Sequence, residues 1–396
     1  MVTGERLVAP LPAVQAARVA HYRSRFDDAL PFTLGLEEEL LLVHAETGLL
    51  VPAVEDALAT VQGDRRYTTE LRAAQIELVT PVCAAVADAR RELASARHYL
   101  VERLPAGVRI AGAGTHPTAL GDGPVTLRPR YETIASECAW AVRQPPTCGL
   151  HVHVAVPGAE RALAVYNALR SYLPEIAALA TNSPFHAGED KGLASVRAKL
   201  HEALPRSGVP PAFSSWPELV SFVEWGRAGG HFVDESFLWW DMRLHPLHGT
   251  IEIRVADTQS RVEDAAAIAA LCQALAADLA QRHDAGERLP VHDSYRIAEN
   301  RYRAIRDGTR GVLADLENGE PEPMWYRIGC LLERLAPAAA ELGCGPELER
   351  GYDLLAGTGA ERQRAVAAER GVDAVASWLA DESEASAVRD LVALAS

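Results

Sequence analysis

The sequence predicts an α+β fold with a largely antiparallel sheet, and two observations carry this prediction. Segments in which polar and apolar residues alternate are confined to the first two-thirds of the chain, and this period of two is typical of strands with one buried face. After Ser260 the chain is rich in alanine and leucine and predicts helices almost to its end. Strands followed by a block of helices favour a sheet whose apolar face the helices cover.

The individual elements follow from these patterns and from the residues that interrupt them. Proline ends or kinks an element because it lacks a backbone N–H, and a long segment rich in proline and glycine predicts functional loops, here from Thr181 to about Gly230. The predicted helices before Ser260 are Val14 to Leu30, Glu55 to Gln62, Val86 to Leu104, Tyr131 to Val142 and Arg161 to Leu179, kinked at Pro174. The predicted strands are Phe32 to Val43, Thr69 to Thr80, Val108 to Gly112, Leu150 to Val156, and a hairpin of Phe237 to Leu244 with Thr250 to Asp257.

Composition and charge exclude several classes of protein. The chain has 396 residues, 48% of them hydrophobic, which is enough for a large core, and its net charge of −15 argues against nucleic acid or an anionic membrane as the main partner. Six scattered cysteines without a C-x-x-C pair predict reduced thiols. The segment from Met1 to Arg6 lacks the apolar region of a signal peptide, and no stretch predicts a membrane span. We therefore expect a cytoplasmic protein.

Charged residues at alternate positions of the predicted strands carry the functional prediction. Residues two apart in a strand share a face, so Glu37 lies beside Glu39, His151 beside His153, and Glu252 beside Arg254. Leucine, isoleucine and valine surround these positions. Acidic residues inside apolar strands are costly unless they are solvated or hold a cation. The pattern predicts a catalytic face that binds metal.

The chemistry of this face stays open on residue types alone. The excess of carboxylate oxygens favours Mg²⁺ or Mn²⁺, and Mg²⁺ in turn suggests nucleotide phosphates. Arg254 predicts either a salt bridge within the sheet or a clamp on a transferring phosphoryl group. The H-x-H pair also fits a zinc-dependent amide hydrolase or an ordinary hydrogen-bonded core. Neither a Walker A motif nor a G-x-G-x-x-G motif occurs, so the sheet and its metals would have to hold a nucleotide.

Eight short motifs resemble the glutamate–cysteine ligase type 2 family, in its carboxylate–amine ligase branch, and they follow in family order from about residue 32 to 365. The matching stretches are Leu34–Leu40, Gln75–Pro81, Ala113–Pro117, Gly149–Val154, Asn182–Phe185, Trp240–Arg243, Thr250–Asp257 and Gly359–Arg364. The resemblance implies a glutamine synthetase-like fold, in which a curved, largely antiparallel sheet forms an active-site funnel with helices on its convex face. It implies one ligase catalytic domain over residues 31–380, preceded by an N-terminal extension and helix (1–30) and followed by a C-terminal helix or tail (381–396).

The resemblance also implies a set of site residues. ATP and two or three Mg²⁺ ions, or Mn²⁺ in their place, are the expected cofactors. One metal cluster would use Glu39, Glu70 and Glu77, and a second would use Glu37, His151 and Glu252. Arg254, Glu252 and Arg243 are the expected catalytic residues. The expected nucleotide contacts are Arg254, Asn182 and Arg197.

The implied reaction joins a carboxylate to an amine. The side-chain carboxylate of glutamate attacks the γ-phosphate of ATP, and the amine then attacks the resulting acyl phosphate. The chain departs from the family in one loop, where it carries His186, Glu189–Gly192 and Ser195-Val196-Arg197 in place of the usual residues. We expect these loops to line a substrate pocket, so the acceptor amine need not be cysteine. A homo-oligomer, as a dimer, is the expected assembly, and a metal-dependent amide hydrolase or a non-catalytic nucleotide-binding relative are the alternatives.

Overall fold

The computed structural model describes residues 13–121 and 123–395 of the chain. Residues 1–12 of the expected N-terminal extension, including the segment considered above as a signal peptide, lie outside the described residues, as do Asp122 and Ser396. Within the described ranges, no helix combines the length and the apolar character that crossing a membrane requires.

Helices make up most of the regular structure. Those of the described ranges are α1 (Ala13–Asp27), α2 (Val54–Thr60), α3 (Val86–Val101), α4 (Pro129–Glu137), α5 (Ala139–Val142), α6 (Ala159–Leu169), α7 (Leu173–Leu179), α8 (Val196–His201), α9 (Trp216–Ala228), α10 (Val262–Asp284), α11 (Ser294–Asp307), α12 (Met324–Leu342), α13 (Gly345–Glu349), α14 (Gly351–Ala356), α15 (Gly359–Arg370) and α16 (Asp373–Ala395).

One open sheet of seven strands lies at the centre of the fold. Its strands are β1 (Leu34–His44), β2 (Tyr67–Thr69), β3 (Gln75–Val79), β4 (Val108–Ala111), β5 (Gly149–Ala155), β8 (Met242–His245) and β9 (Thr250–Asp257). Their order is β2-β3-β1-β5-β9-β8, with β4 paired to the end of β1, and the neighbours pair antiparallel. Two small hairpins lie outside it, β6 (Phe185–His186) with β7 (Glu189–Asp190) and β10 (Val312–Ala314) with β11 (Pro321–Pro323). The predicted α+β class with a largely antiparallel sheet is confirmed.

Strand β1 shows how the two faces of the sheet differ. Leu36 and Leu40 are fully buried on the face that α3 and α10 help to cover. Most residues of α10 are buried, as expected for a helix that is apolar around its whole circumference. Glu37 and Glu39 alternate with these leucines and therefore point to the opposite face. The helices thus leave one charged face of the sheet free for a site.

A buried ion pair lies on the helix-covered face. The Arg97 guanidinium of α3 donates from Nε to the Glu38 carboxylate of β1 at 2.7 Å, and both side chains are inaccessible to solvent. It also donates to the carbonyl oxygens of Ser260 at 2.9 Å and Gln259 at 2.7 Å. Multiple hydrogen bonds are what a charge needs in order to be buried. Arg97 thus joins α3, the central strand and the segment that follows β9.

Several predicted elements differ in detail from the structure. The predicted helix from Tyr131 to Val142 is two helices, α4 and α5, and of the predicted strand from Phe237 to Leu244 only the part from Met242 onward belongs to β8. The predicted strand from Thr69 to Thr80 is two strands, because β2 and β3 pair with each other around an irregular turn. The predicted helix from Arg161 to Leu179 is divided by a 3₁₀ turn at Arg170–Tyr172, after which Pro174 sits in the first turn of α7, where no N–H is required of it. The helical last third contains the hairpin β10–β11, which has too few residues to show a period.

Replacing Arg97 by alanine tests the role of the buried ion pair. Arg97→Ala leaves the Glu38 carboxylate buried without its partner, and we expect the free energy of unfolding to fall by about 3–5 kcal/mol. Arg91→Ala is the matched control on the same helix, because Arg91 is 53% exposed and pairs with an exposed Asp88. The control should change stability by about 0–1 kcal/mol. Equal losses in urea denaturation of the two variants would contradict this role.

Candidate active site

A cavity of about 300 Å³ opens on the charged face of the sheet. Of the ten residues predicted from the sequence as site residues, all but Glu252 and Asn182 line it. Glu252 lies directly beneath the cavity, fully buried on β9. The period of two in the strands is what brings these residues from distant parts of the chain onto one face.

Glu39, Glu70 and Glu77 form one carboxylate group, as the sequence suggested. Glu39 on β1 stands opposite Glu77 on β3, and Glu70 lies in the turn between β2 and β3. One oxygen of each carboxylate lies within 4.8 Å of the others. The backbone N–H of Gly149 donates to Glu39 Oε2 at 2.7 Å, and a Cβ at Gly149 would collide with the Arg197 guanidinium. A side chain at this position would therefore have to displace the Arg197 guanidinium.

These three carboxyl groups are held in surroundings that oppose ionisation. Burial, followed by the charge of Glu70, raises the pKa of Glu39 to about 8. Burial also raises the pKa of Glu70. For Glu77, burial and the charges of Glu37 and Glu70 raise the pKa well above its ordinary value. A bound cation would supply the missing positive charge, so this donor set fits a metal that prefers oxygen ligands.

Glu37 belongs to two further groups. Its carboxylate, His153 and Glu252 offer ligand atoms within 4.8 Å of one another, and so do Glu37, Glu77 and His151. His153 Nε2 lies 3.2 Å from Glu37 Oε1, whereas His151 Nδ1 lies 2.9 Å from Glu37 Oε2 and 3.9 Å from Glu252. His153 Nε2 likewise lies 3.9 Å from Glu252, so both His153 and the expected His151 lie near Glu37 and Glu252, and His151 also lies near Glu77.

Both imidazoles present a buried nitrogen to these groups. The Nε2 atoms of His151 and His153 have no hydrogen-bond partner within the described part of the chain. Burial and the charge of Arg254 lower the pKa of His151 to about 4, so this ring is neutral at pH 7. Burial opposes the charge on His153, but the charges of Glu252 and Glu37 outweigh it and raise the pKa. An unpartnered buried imidazole nitrogen among carboxylates is a suitable ligand for a divalent cation.

Two arginines enclose Glu252. Arg243 on β8 is its cross-strand partner and donates to both carboxylate oxygens, and Arg254 on β9 donates to Oε1. Burial opposes ionisation of Glu252, but the charges of Arg243 and Arg254 outweigh it and lower the pKa well below the ordinary value. The Nε of Arg254 and the Nε of Arg197 remain buried without a hydrogen-bond partner among the described residues. These donors are available to an anion in the cavity.

Asn182 is not brought to this cavity. Its Nδ2 donates to the carbonyl oxygens of Gly112 at 3.2 Å and Thr258 at 2.8 Å, and its Oδ1 accepts from Gln363 at 2.8 Å. The side chain is fully buried, so no polar atom is left for a nucleotide. Its backbone N–H donates to Asp257 Oδ2 at 2.8 Å. Through these hydrogen bonds, Asn182 connects three segments of the chain.

One part of the loop that departs from the family pattern lines the cavity, and the other part does not. The hairpin β6–β7, with His186 and Glu189, does not line the cavity, whereas Arg197 and the residues that follow it on and after α8 do. Other lining residues that the sequence did not single out are Arg130, Tyr131, His201 and Trp239. They come from short helices and loops without a strand or helix period long enough to predict a face. Among the residues that the structure adds to the predicted site, only His153 could have been found from the sequence, because it alternates with His151 in the H-x-H motif.

A second cavity of about 360 Å³ adjoins the first at Glu37. His153 and His248 are among its polar residues, and apolar residues such as Leu247 and Val79 form much of its wall. Glu37 therefore separates a mostly charged cavity from a mostly apolar one. The arrangement suits an elongated ligand with an apolar ring system at one end and anionic groups at the other.

Comparison with known proteins identifies the family of the chain. The chain matches the family model of glutamate–cysteine ligase family 2 over residues 33–389. A Rubrobacter xylanophilus protein named "putative glutamate–cysteine ligase 2-3" is 41% identical over 367 residues, which cover 90% of this chain and 99% of that protein. The solved structure of Francisella tularensis glutamate–cysteine ligase in complex with AMP is similar with a TM-score of 0.62 at 11% identity, over 93% of this chain and 95% of that one.

A second solved structure is similar to the same extent. Bifunctional glutathione synthetase from Pasteurella multocida gives a TM-score of 0.63 at 16% identity. The match covers 94% of this chain and 54% of that one, so the chain spans about half the length of the bifunctional protein. At these identities the two structures show the fold, and the expected type of fold is thereby confirmed.

Divalent cations should stabilise the protein more at alkaline than at acidic pH. Because the pKa of Glu39 is raised to about 8, the unliganded fold loses stability as the pH rises from about 4.5 towards 8, where unfolded Glu39 ionises freely. Glu37 has a lowered pKa and acts in the opposite sense, but only below that window. A cation replaces the protons and therefore binds more tightly near pH 8 than near about pH 5. At 100 times the Kd measured near pH 8, we expect the free energy of unfolding to rise by about 2.7 kcal/mol at that pH and by less near about pH 5.

Thermal unfolding with Mg²⁺ or Mn²⁺ at the two pH values measures this difference. Glu77→Gln should lose most of the gain, and Glu55→Gln, at an exposed position of α2, should keep it. A gain that is the same at both pH values, or that survives in Glu77→Gln, would contradict the assignment of these carboxylates.

Proposed function

The chain belongs to glutamate–cysteine ligase family 2 and is an ATP-dependent carboxylate–amine ligase of that type, and from this premise we propose that it forms an amide through an acyl phosphate. The acid that it activates is the side-chain carboxylate of glutamate. The acceptor is a small amine, which need not be cysteine. The observation that carries the proposal is the meeting of three acidic groups and two arginines in one cavity.

The residues of the charged face are suited to hold ATP by its phosphates. We assign Glu39, Glu70 and Glu77 to one cation and Glu37, His153 and Glu252 to another, with His151 beside both. Mg²⁺ bound there would neutralise phosphate charge and polarise the γ-phosphoryl group. The adjoining apolar cavity, which shares Glu37, would receive the base and sugar of the nucleotide. Both cations and both cavities are part of this proposal.

The first step is the attack of the glutamate side-chain carboxylate on the γ-phosphate. Charge accumulates on the phosphoryl oxygens as the bond to ADP breaks, and fixed cationic donors aimed at those oxygens lower the barrier. Arg254 is suited to this task because its pairing with Glu252 fixes it and its Nε has no other partner in the described part of the chain. Arg197 offers a second donor of the same kind.

The second step is the attack of the amine on the acyl phosphate. The nitrogen forms a bond to the acyl carbon, the bond from that carbon to the phosphate oxygen breaks, and phosphate leaves with the electron pair. The cavity must exclude water at this stage, since water would hydrolyse the acyl phosphate. Apolar residues on its walls, such as Ile134, Leu200 and Leu204, serve that purpose.

Release of ADP tests the proposed reaction directly. The protein is supplied with Mg²⁺ and ATP, with L-glutamate, and with a panel of amines that includes L-cysteine, other amino acids, and simple alkyl and aryl amines. ADP release that requires both an acid and an amine supports the ligase and identifies the acceptor. Release of ADP that depends on neither, or the absence of release with every pair, would contradict the proposal.

Conservative changes to two acidic residues should abolish turnover while leaving the fold intact. Glu37→Gln and Glu252→Gln keep the shape of each side chain but remove the negative charge that would hold a cation, and we expect kcat to fall by about 10²-fold or more. Glu55→Gln serves as the exposed control. Turnover by both variants at the rate of the control would overturn the assignment of the cation groups.

A further inference from the structure

His201 lines the same cavity and belongs to none of its acidic groups. It is the last residue of α8 and lines the cavity with its neighbours Leu200 and Leu204. Its Nε2 lies 3.2 Å from the backbone carbonyl oxygen of Trp239, whose side chain is also part of the wall. Apolar residues therefore flank His201 on the cavity wall, and Arg197 and Arg254 line the same cavity.

The contact with Trp239 fixes the tautomer of His201. A carbonyl oxygen can only accept a hydrogen bond, so Nε2 must carry the proton. In a neutral ring Nδ1 then has a free lone pair, and no residue of the described part of the chain donates to it. The second ring nitrogen of His201 is thus unprotonated and can accept a proton.

Hydrogen bonds between the start of α8 and the end of strand β9 fix the position of His201. Ser195 caps the start of α8, accepting from the N–H of Ala198, and its hydroxyl donates to Asp257 Oδ1 at 2.8 Å. Asp257 ends strand β9, so this contact ties α8 to the strand that carries Arg254. Anchoring of this kind is what a proton acceptor needs in order to meet a reacting atom.

The ring is neutral before substrate binds. Burial and the positive charges of Arg197 and Arg254 lower the pKa of His201 well below its ordinary value, with a smaller effect from Arg301. Arg301 is itself paired with Asp241. An anionic acyl phosphate beside Arg197 and Arg254 would offset their charges, which makes His201 more basic at the stage where a proton must be removed.

The other titratable residues of the cavity are less suited to accept this proton. The four acidic residues that line the cavity and His151 belong to the cation groups, and the arginines remain charged. Tyr131 donates its hydroxyl hydrogen to the carbonyl oxygen of Thr69 at 2.6 Å, and burial raises its pKa above the ordinary value. His201 is left as the uncharged nitrogen base among the described residues that line the cavity.

We propose that His201 accepts the proton of the attacking amine at Nδ1 and that the apolar wall around it forms the amine subsite. This inference rests on the proposed function. The amine enters as an ammonium ion and gives one proton to Nδ1, and its freed electron pair then bonds to the acyl carbon. The phosphate leaves with the electrons of the broken C–O bond and takes the second proton from the nitrogen. The residue acts in the second step alone, because activation of the carboxylate by ATP releases no amine proton.

A comparison of two nucleophiles tests the role of His201 separately from the proposed function. His201→Gln retains an amide N–H that can donate to the Trp239 carbonyl but removes the basic Nδ1. With the acceptor amine found in the panel, which is protonated at neutral pH, we expect the variant to lose about 10²–10⁴-fold in kcat. With hydroxylamine, which is weakly basic and uncharged at neutral pH, hydroxamate formation from ATP and glutamate should stay close to that of the unmodified protein.

The outcomes distinguish the two hypotheses. His98→Gln, on the exposed side of α3, is the matched control and should behave as the unmodified protein with both nucleophiles. An equal loss with the amine and with hydroxylamine in His201→Gln would show a structural role and overturn the inference, and so would full activity with both. Failure of the unmodified protein to form hydroxamate would instead overturn the proposed function and, with it, this inference.

Discussion

Repulsion among carboxylates on one face of the sheet is the constraint on which the site depends. Glu39 and Glu77 stand opposite each other on paired strands, and Glu70 adds a third carboxyl group, so that burial and mutual repulsion oppose the ionisation of all three together. Two like charges about 4 Å apart cost about 4 kcal/mol when the effective dielectric constant is about 20. Strand β1 has neighbours on both edges, so it cannot move away from this repulsion without breaking hydrogen bonds to β3 or β5. The arrangement is therefore one that gains stability from positive charge supplied by a ligand.

The face behind the sheet holds these charges in place. Arg97 binds Glu38 on the central strand and the carbonyl oxygens of Gln259 and Ser260, immediately after β9. It thereby connects the strand that carries one half of the site to the end of the strand that carries the other. Asp257, two residues before that point, accepts hydrogen bonds from the loop that leads into α8. The charged face is positioned by contacts that lie outside it, which allows the site residues themselves to be arranged for binding.

The strand period allowed much of the fold and most of the acidic positions to be predicted from the sequence, since alternation requires no knowledge of which strands pair. It could not decide which imidazole stands opposite Glu252, because that depends on register. A shift in the β5–β9 pairing between Leu150 and Val152 sets His153 opposite Glu252. His201 gave no signal, because it ends a helix of six residues that follows an irregular loop. Its role depends on a backbone carbonyl distant in sequence, which no spacing of side chains encodes.

The two ends of the cavity differ in the way that a two-step ligation requires. Transfer of a phosphoryl group needs concentrated positive charge, and the acidic groups with Arg254 provide the place where it gathers. Attack by an amine needs the opposite condition, because a nitrogen that stays protonated is not a nucleophile. A base placed among the carboxylates would be engaged with cations, whereas a neutral imidazole against Leu204 and Trp239 is free to take a proton. In the proposed reaction, separation of charge within one cavity would allow both steps to proceed on one bound intermediate without moving it between sites.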